Sequence, residues 1–155
     1  MKKNEIIKKF IKDRNIQAEI LYFKDTVESV EAASKASGIP PEKIVKTLLV
    51  KVNGEIIAVL IPGNNRLDYK KLKKVTNSKR VRLLYPHEVK NISGFEIGEV
   101  SPLTPLFTKL KVIADRKIQD LDVVLVGGGT LKSLVKIKVK ELIRVIDPLI
   151  TDVTK

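Results

Sequence analysis

The segment that most restricts the fold is KIVKTLLVKVNGEIIAVLIP, which spans residues 43–62. Two apolar runs, 46–52 and 55–61, flank Asn53-Gly54. This pair is favoured in a two-residue type I′ turn, because both central residues need a positive φ. The second run is apolar at every position from Ile56 to Ile61, as expected for a strand that is covered on both faces. The sequence therefore predicts a β-hairpin whose second strand is buried.

The rest of the chain predicts more strands than helices. A helix is predicted at 3–14 from its apolar stripe, and another at 25–38, where Asp25 or Thr26 caps the start and Gly38 ends it. Asp68 caps a third helix. The remaining predicted elements are helices at 68–77 and 140–146, short helical turns at 40–41 and 86–89, strands at 18–23, 80–85, 111–114, 121–126 and 134–139, and an ordered loop at 94–106. Hairpins mixed with longer crossovers indicate an α/β (α+β) fold around a mixed sheet.

Length and composition restrict the class of protein. The 155 residues predict one domain spanning 1–155. The chain has no cysteine, which excludes disulfides, zinc–thiolate sites and a thiol nucleophile, and is compatible with a reducing cytosol. The N-terminal residues alternate charged and apolar side chains too often for a signal peptide, and no apolar run is long enough to span a bilayer. We therefore expect a cytoplasmic protein that has no membrane partner.

The charge balance indicates a polyanionic partner. Lys and Arg number 30 against 18 Asp and Glu, which gives a net charge of +12. Nucleic acid is the first candidate for such a surface, and the alternative is a lysine-rich surface that serves only solubility. The basic residues form two dense stretches: Lys70, Lys71, Lys73, Lys74, Lys79, Arg80 and Arg82 in one, and Lys132, Lys136, Lys138 and Lys140 in the other.

Common catalytic motifs do not account for a function. His87 is the only histidine, so a catalytic triad would depend on it alone, and its context YPHEV is typical of a helix start. A metal site would need mostly carboxylates, which do not cluster, so neither a metal nor a cofactor is expected. The run VGGGTLKS, 126–133, lacks the spacing of phosphate-binding loops. It is either a tight turn or a place where the backbone approaches a ligand closely.

Lys46 is a charged residue near the start of a mostly apolar strand of the hairpin. On a strand it shares a face with Leu48, Val50 and Val52, which is the more apolar of the two faces. An unpaired buried ammonium group is costly. Lys46 therefore either packs its stem at the edge of the strand with its ammonium group in water, or lines a pocket where its charge meets a ligand.

Three blocks of the sequence resemble a known family. IVKTLLVKVNG with AVLIPGNNRLDYKKLKK, then SGFEIGEVSPL (93–103), then VVLVGGG (123–129) resemble, in order and spacing, the YbaK/EbsC family. The fold of that family is also the editing insertion of bacterial prolyl-tRNA synthetases. The resemblance covers about residues 26–146, and it implies a mixed, partly barrel-like β-sheet flanked by helices.

The resemblance implies an enzyme that hydrolyses mischarged aminoacyl-tRNA in trans, most often tRNA for proline that carries cysteine or alanine. The family's central lysine falls on Lys46, and the substrate would be positioned by this lysine and by backbone amides, without a protein nucleophile. The partner would be aminoacyl-tRNA, with an aminoacyl-tRNA synthetase as a second candidate, and no DNA. The expected substrate-binding residues are Thr47, Gly94, Gly98, Ser101, Pro102, Gly127, Gly128 and Gly129. The expected tRNA-binding residues are Lys70, Lys71, Lys73, Lys74 and Arg80.

The sequence departs from the family pattern at two places. Relatives often have a serine just before the paired glycines and an aspartate some residues later, where this chain has Gly127 and Leu134. These departures leave the amino-acid specificity open. They also motivate an alternative, a non-catalytic module of the same fold that binds tRNA or a synthetase. A third interpretation is a small-molecule-binding protein with an ordinary lysine-rich surface.

Overall fold

Two β-sheets and five α-helices account for most of residues 3–155, which are the residues that the computed structural model describes. Short 3₁₀ turns occur at Pro41–Lys43, Pro105–Thr108 and Arg116–Asp120. In chain order the elements are α1 Lys3–Asp13, β1 Ala18–Tyr22, α2 Val30–Ser37, β2 Val45–Val52, β3 Glu55–Pro62, α3 Tyr69–Thr76, β4 Val81–Leu83, α4 Pro86–Ser93, β5 Val112–Asp115, β6 Val123–Gly127, β7 Ser133–Lys138, α5 Val139–Ile146 and β8 Leu149–Thr151.

The strands form a mixed sheet and a smaller antiparallel one. The five-stranded sheet has the order β4-β2-β3-β5-β8, with β3, β5 and β8 parallel to one another and the other pairs antiparallel. The three-stranded sheet has the order β1-β7-β6. A parallel bridge between Ile44 and Leu125 joins the sheets where β2 begins. The predicted α/β class with a mixed sheet is confirmed, and the strands divide into two sheets.

The β2–β3 hairpin has the predicted geometry. Asn53 and Gly54 have φ angles of 49° and 87°, as a type I′ turn requires. Residues 57–61 are buried on both faces of the five-stranded sheet. One face packs Leu49 and Leu60 into the larger core cluster, and the other packs Val50 and Val59 against α3. The hairpin is therefore the central element of this sheet, and it fixes the position of Lys46.

The start of α2 differs from the prediction. Neither Asp25 nor Thr26 caps this helix; it begins at Val30, and the hydroxyl of Ser29 accepts a hydrogen bond from the Ala32 N–H at 3.0 Å. The N–H of Val27 donates instead to the carbonyl of Leu131 at 2.7 Å, and residues 25–29 lie outside the helix. This long-range hydrogen bond replaces the helical turn that the local sequence favours. The predicted helix end is confirmed, since Gly38 is left-handed with φ 74°.

Other boundaries differ by shorter distances. Asp68 caps α3 as predicted, by accepting from the N–H groups of Lys70 and Lys71. The helix predicted at 86–89 extends to Ser93, the strand predicted at 80–85 is reduced to 81–83, and the strand predicted to end at 139 ends at Lys138. β8 was not predicted, because three residues after a proline carry no strand periodicity. It forms by pairing in parallel with β5.

Candidate functional site

One edge of β2 is uncovered over a short stretch. β4 pairs with β2 only at residues 50–52, and the last backbone bond between them runs from the Leu84 N–H to the Leu49 carbonyl. At the other end, β6 bridges Ile44, so the edge is open only over residues 46–48. There it forms one wall of a pocket of about 250 Å³, whose other walls are residues 27–30, the loop at 97–100, and Val126, Gly127 and Leu134.

Lys46 lines this pocket with a half-buried side chain. Its Nζ donates to the main-chain oxygen of Asn65 at 3.0 Å, in the turn that follows β3. Burial, with a smaller contribution from the charge of Arg66, lowers the pKa of the Lys46 ammonium group. The ammonium group has three hydrogens and one protein acceptor, so two N–H groups can still bind a ligand.

Thr47 presents polar groups to the same pocket. Its Oγ1 is buried and has no hydrogen-bond partner in residues 3–155. The Leu49 carbonyl and the Asn53 N–H both bond toward β4. In an antiparallel strand, the N–H and C=O of one residue point to the same side, and this side alternates from residue to residue. The N–H and C=O of Thr47 therefore point to the same side as the bonded groups of Leu49 and Asn53, at a position that β4 does not reach. The open edge therefore offers a donor, an acceptor and a hydroxyl.

Two of the predicted glycines line the pocket, but protein atoms fill the space beside them. A Cβ at Gly127 would lie 2.0 Å from the carbonyl oxygen of Val100. A Cβ at Gly98, where φ is 92°, would lie 2.8 Å from the Cβ of Glu28. These glycines let the loop at 97–100 close onto β6 and onto the segment before α2.

The structure does not bring the other predicted glycines, nor the Ser-Pro pair, to the pocket wall. Gly94 ends α4 in a left-handed conformation with φ 78°. Ser101 and Pro102 are buried, and Ser101 Oγ accepts from the Leu103 N–H at 3.2 Å. A Cβ at Gly128 would lie 2.5 Å from the backbone of Ser133, and the Gly129 N–H donates to the Glu99 carbonyl. These residues shape the turns behind the pocket.

Sequence reasoning missed the segment at 27–30 and the loop residues Ile97 and Val100. The sequence predicted 27–30 as the interior of a helix, so its place in the pocket wall was hidden. Glu28 lies here, and a hydrogen bond from the Thr26 side chain lowers the pKa of its carboxyl group. Ser29 also lines the pocket while it caps α2.

A smaller apolar cleft of about 160 Å³ adjoins the pocket. The cleft and the pocket share Thr47, Leu48, Ile97, Gly98 and Val100, so the two spaces lie side by side. The cleft extends along β2 to Leu83 and Leu84, at the end of β4.

The predicted tRNA-binding lysines occupy different environments. Lys71 donates to Asp152 at 3.0 Å and to the carbonyl of Thr154 at 2.7 Å, which ties α3 to the C-terminal residues. Lys70 and Lys74 are exposed on α3. Lys73 and Arg80 line a groove at the tip of the hairpin.

The described residues offer no metal site, and the histidine lies apart from the pocket. Within residues 3–155, no three His, Asp or Glu side chains are grouped so that they could hold a metal ion. His87 is exposed on α4 and stacks on Tyr85 with ring centroids 6.0 Å apart, outside the pocket wall. Every helix in the described part of the chain is too short or too polar to cross a membrane.

Comparison with known proteins gives concordant results. The family model described as the aminoacyl-tRNA editing domain matches residues 24–145. A proline–tRNA ligase from Staphylococcus aureus (strain Newman) is 32% identical over 103 residues, which are 66% of this chain and 18% of the ligase. A second strain, JH1, has a ligase with the same values. The chain thus spans less than a fifth of the length of these curated relatives.

Solved structures share the fold over nearly the whole chain. A hypothetical protein has a TM-score of 0.88 at 29% identity, and the match covers 96% of this chain and 99% of that one. A candidate trans-editing enzyme for prolyl-tRNA synthetase has a TM-score of 0.88 at 24% identity, and the match covers 99% of this chain and 97% of that one.

Proposed function

The chain belongs to the aminoacyl-tRNA editing domain family, and from this premise we propose that it hydrolyses mischarged aminoacyl-tRNA in trans. The observation that carries the proposal is Lys46 beside the open edge of β2, in a pocket otherwise walled mostly by apolar side chains. The substrates to test first are cysteinyl- and alanyl-tRNA for proline. Water attacks the ester carbonyl, the ribose hydroxyl leaves, and the products are the free amino acid and uncharged tRNA.

The size of the pocket supports a small amino acid. Its volume of about 250 Å³ lies just below the range of roughly 300–1,000 Å³ typical of small-molecule sites. It can hold an amino acid and part of a ribose. Val27, Val30, Ala33 and Ile44 make much of its wall apolar, which suits the side chain of alanine or cysteine.

Lys46 acts in this proposal as a fixed cation. The bond to Asn65 holds the ammonium group in place, and its remaining N–H groups bind the ester oxygen or a ribose oxygen of the substrate. Preorganised donors aimed at developing negative charge stabilise a tetrahedral transition state without reorganising. Thr47 binds the amino acid through its main-chain groups and hydroxyl. Together they orient the ester for attack.

Water is the proposed nucleophile because the pocket offers no activated protein nucleophile. The chain has no cysteine, and His87 lies outside the wall. The hydroxyl of Ser29 already accepts the Ala32 N–H as a helix cap. The resemblance to YbaK/EbsC proteins implies that a ribose hydroxyl of the tRNA helps to activate the attacking water.

The deciding experiment is deacylation of a panel of mischarged tRNAs by the wild type, Lys46→Ala and the control Lys136→Ala. Lys136 is an exposed lysine on β7, away from the pocket. We expect hydrolysis by the wild type and the control, and none by folded Lys46→Ala. No hydrolysis of any substrate, or full activity of Lys46→Ala, would contradict the proposal.

A non-catalytic tRNA-binding module is the second candidate. It is favoured by Gly127 and Leu134, which line the pocket where relatives often have polar residues. This candidate predicts salt-sensitive binding of tRNA without turnover. The same panel, run beside a binding titration with uncharged tRNA, distinguishes the two functions.

A further inference from the structure

A groove of about 420 Å³ at the tip of the β2–β3 hairpin is lined by five basic side chains and by no carboxylate. We call it the hairpin groove; its basic residues are Lys51, Lys73, Lys79, Arg80 and Arg82. They come from β2, from α3 and from residues 79–82, which include the start of β4. Three separate elements thus bring positive charge to one concave surface, which attracts a polyanion.

The backbone around the hairpin groove is held in place by Asn53. Its Oδ1 accepts hydrogen bonds from the N–H groups of Lys79 and Arg80, at 3.2 and 3.0 Å. The Asn53 N–H donates to the carbonyl of Arg80 at 2.9 Å. The turn residue that the hairpin needs for its positive φ therefore also positions two cations.

Three of the five cations are available to an external anion. Arg82 makes a bidentate contact with Glu88 at 2.7 and 3.0 Å, and Lys51 lies 3.8 Å from the same carboxylate. Among the described residues, Lys73, Lys79 and Arg80 pair with no carboxylate. Their charge is consequently not neutralised within the protein.

The pocket, the apolar cleft and the hairpin groove follow one another along β2. The pocket includes residues 45–48 of this strand, the cleft 47–49, and the groove Lys51 and Asn53. At about 3.3 Å per residue, Asn53 lies roughly 23 Å along the strand from Lys46. A stacked nucleic-acid strand carries one phosphate per ~3.4 Å of helix axis, so this distance spans several nucleotides.

We propose that the hairpin groove binds the backbone phosphates of the tRNA acceptor arm several nucleotides away from the ester. This proposal rests on the proposed function, because the ester in the pocket sets the register of the RNA. Contacts of this kind position the RNA without reading its sequence. An acidic protein surface is the competing occupant, and polyglutamate serves as the probe for it.

The first measurement is binding of uncharged tRNA for proline, which does not require catalysis. The test variant is Lys79→Ala/Arg80→Ala, and the matched control is Lys109→Ala/Lys111→Ala, which removes two exposed charges that do not line the groove. We expect the test variant to bind about tenfold more weakly at 0.1 M salt, and its slope of log K against log salt to fall by about 2. The control should bind like the wild type.

The second measurement compares two substrates of different length. The groove should contact alanyl-tRNA for proline, whereas an alanyl-CCA trinucleotide is too short to reach it. We expect the test variant to lower kcat/KM on the tRNA by about tenfold and to leave the trinucleotide unchanged. Lys46→Ala should lose activity on both, which separates the pocket from the groove.

The outcomes are distinct for the two proposals. Weaker tRNA binding by the test variant supports the groove even if the wild type hydrolyses nothing, in which case only the proposed function fails. Equal binding by the test variant and the wild type would overturn the groove, as would equal losses in the test and control variants. Groove-dependent binding of polyglutamate but not of tRNA would also overturn it, and would indicate an acidic protein partner.

Discussion

The Nζ atom of Lys46 lies 3.0 Å from the main-chain oxygen of Asn65, so the turn after β3 holds the cation that β2 places in the pocket. The bond joins β2 to the turn after β3, at the end of the hairpin opposite to Asn53-Gly54. Lys46 lines the pocket with a half-buried side chain, and whether its charge meets a ligand there stays a prediction.

Replacing Lys46 with methionine should separate stability from activity. Methionine retains the apolar stem, and the loss of one hydrogen bond is offset by the loss of the burial cost of the charge. We expect the free energy of unfolding to change by no more than about 1 kcal/mol. Deacylation should fall by on the order of 100-fold or more. Denaturant titration measures the change in stability, and single-turnover hydrolysis measures the change in activity. Lys136→Met is the control. A loss of stability large enough to explain the lost activity would argue against a role of Lys46 in catalysis.

Thr47→Val removes the buried hydroxyl that has no partner and keeps the shape of the side chain. An unsatisfied buried polar group costs about 1–3 kcal/mol, so the variant should be as stable as the wild type or more so. If the hydroxyl binds the substrate, KM should rise while the melting temperature does not fall. Thermal unfolding and steady-state kinetics test this together. An unchanged KM would show that the hydroxyl has no role in binding.

Gly127→Ala should disturb the pocket through a backbone clash. The new Cβ would lie 2.0 Å from the Val100 carbonyl oxygen, which cannot move without shifting the loop at 97–100. We expect a loss of about 1–3 kcal/mol in the free energy of unfolding. The wild type is the reference for this loss. A Gly127→Ala variant as stable as the wild type would contradict the close packing.

The Arg82–Glu88 pair should make stability depend on acid pH. Hydrogen bonds from the Arg82 side chain and from the Tyr85 N–H lower the pKa of Glu88 from 4.5 to about 2. As the pH falls from 4.5 to about 2, the unfolded state therefore takes up this proton before the folded state does, and stability decreases. The stabilisation is fully present above this window. Glu88→Gln should reduce the decrease.

Urea unfolding measured across this pH range tests the contribution of Glu88. The control is Glu42→Gln, since Glu42 is exposed and forms no ion pair among residues 3–155. Its pH dependence should match that of the wild type. A Glu88→Gln profile parallel to the wild type throughout the window would show that the pair does not stabilise the folded state.

Local patterns predicted the hairpin, the cap at Asp68 and the end of α2 at Gly38. Each depends on residues that are close in sequence, so their geometry can be inferred from the chain itself. The start of α2 depends on the bond between Val27 and Leu131, which are far apart in sequence. Because the sequence predicted residues 27–30 to be helical, it did not predict that they form one wall of the pocket. The alternation of side chains along β2 placed Lys46 on the more apolar face of the strand. The open edge depends instead on where β4 ends, and the sequence predicted a longer strand there than the structure has.

β4 ends before it covers the whole edge of β2, and this has a consequence for evolution. Part of the polar wall of the pocket is the main chain of β2. Any sequence that keeps the lengths of β2 and β4 therefore keeps these main-chain groups in the pocket. The opposite wall consists of apolar side chains such as Val27, Val30 and Ala33. Under the proposed function, substitutions there alter which amino acid fits while the main-chain wall remains in place. The range of substrates can then change without loss of the surface that anchors them.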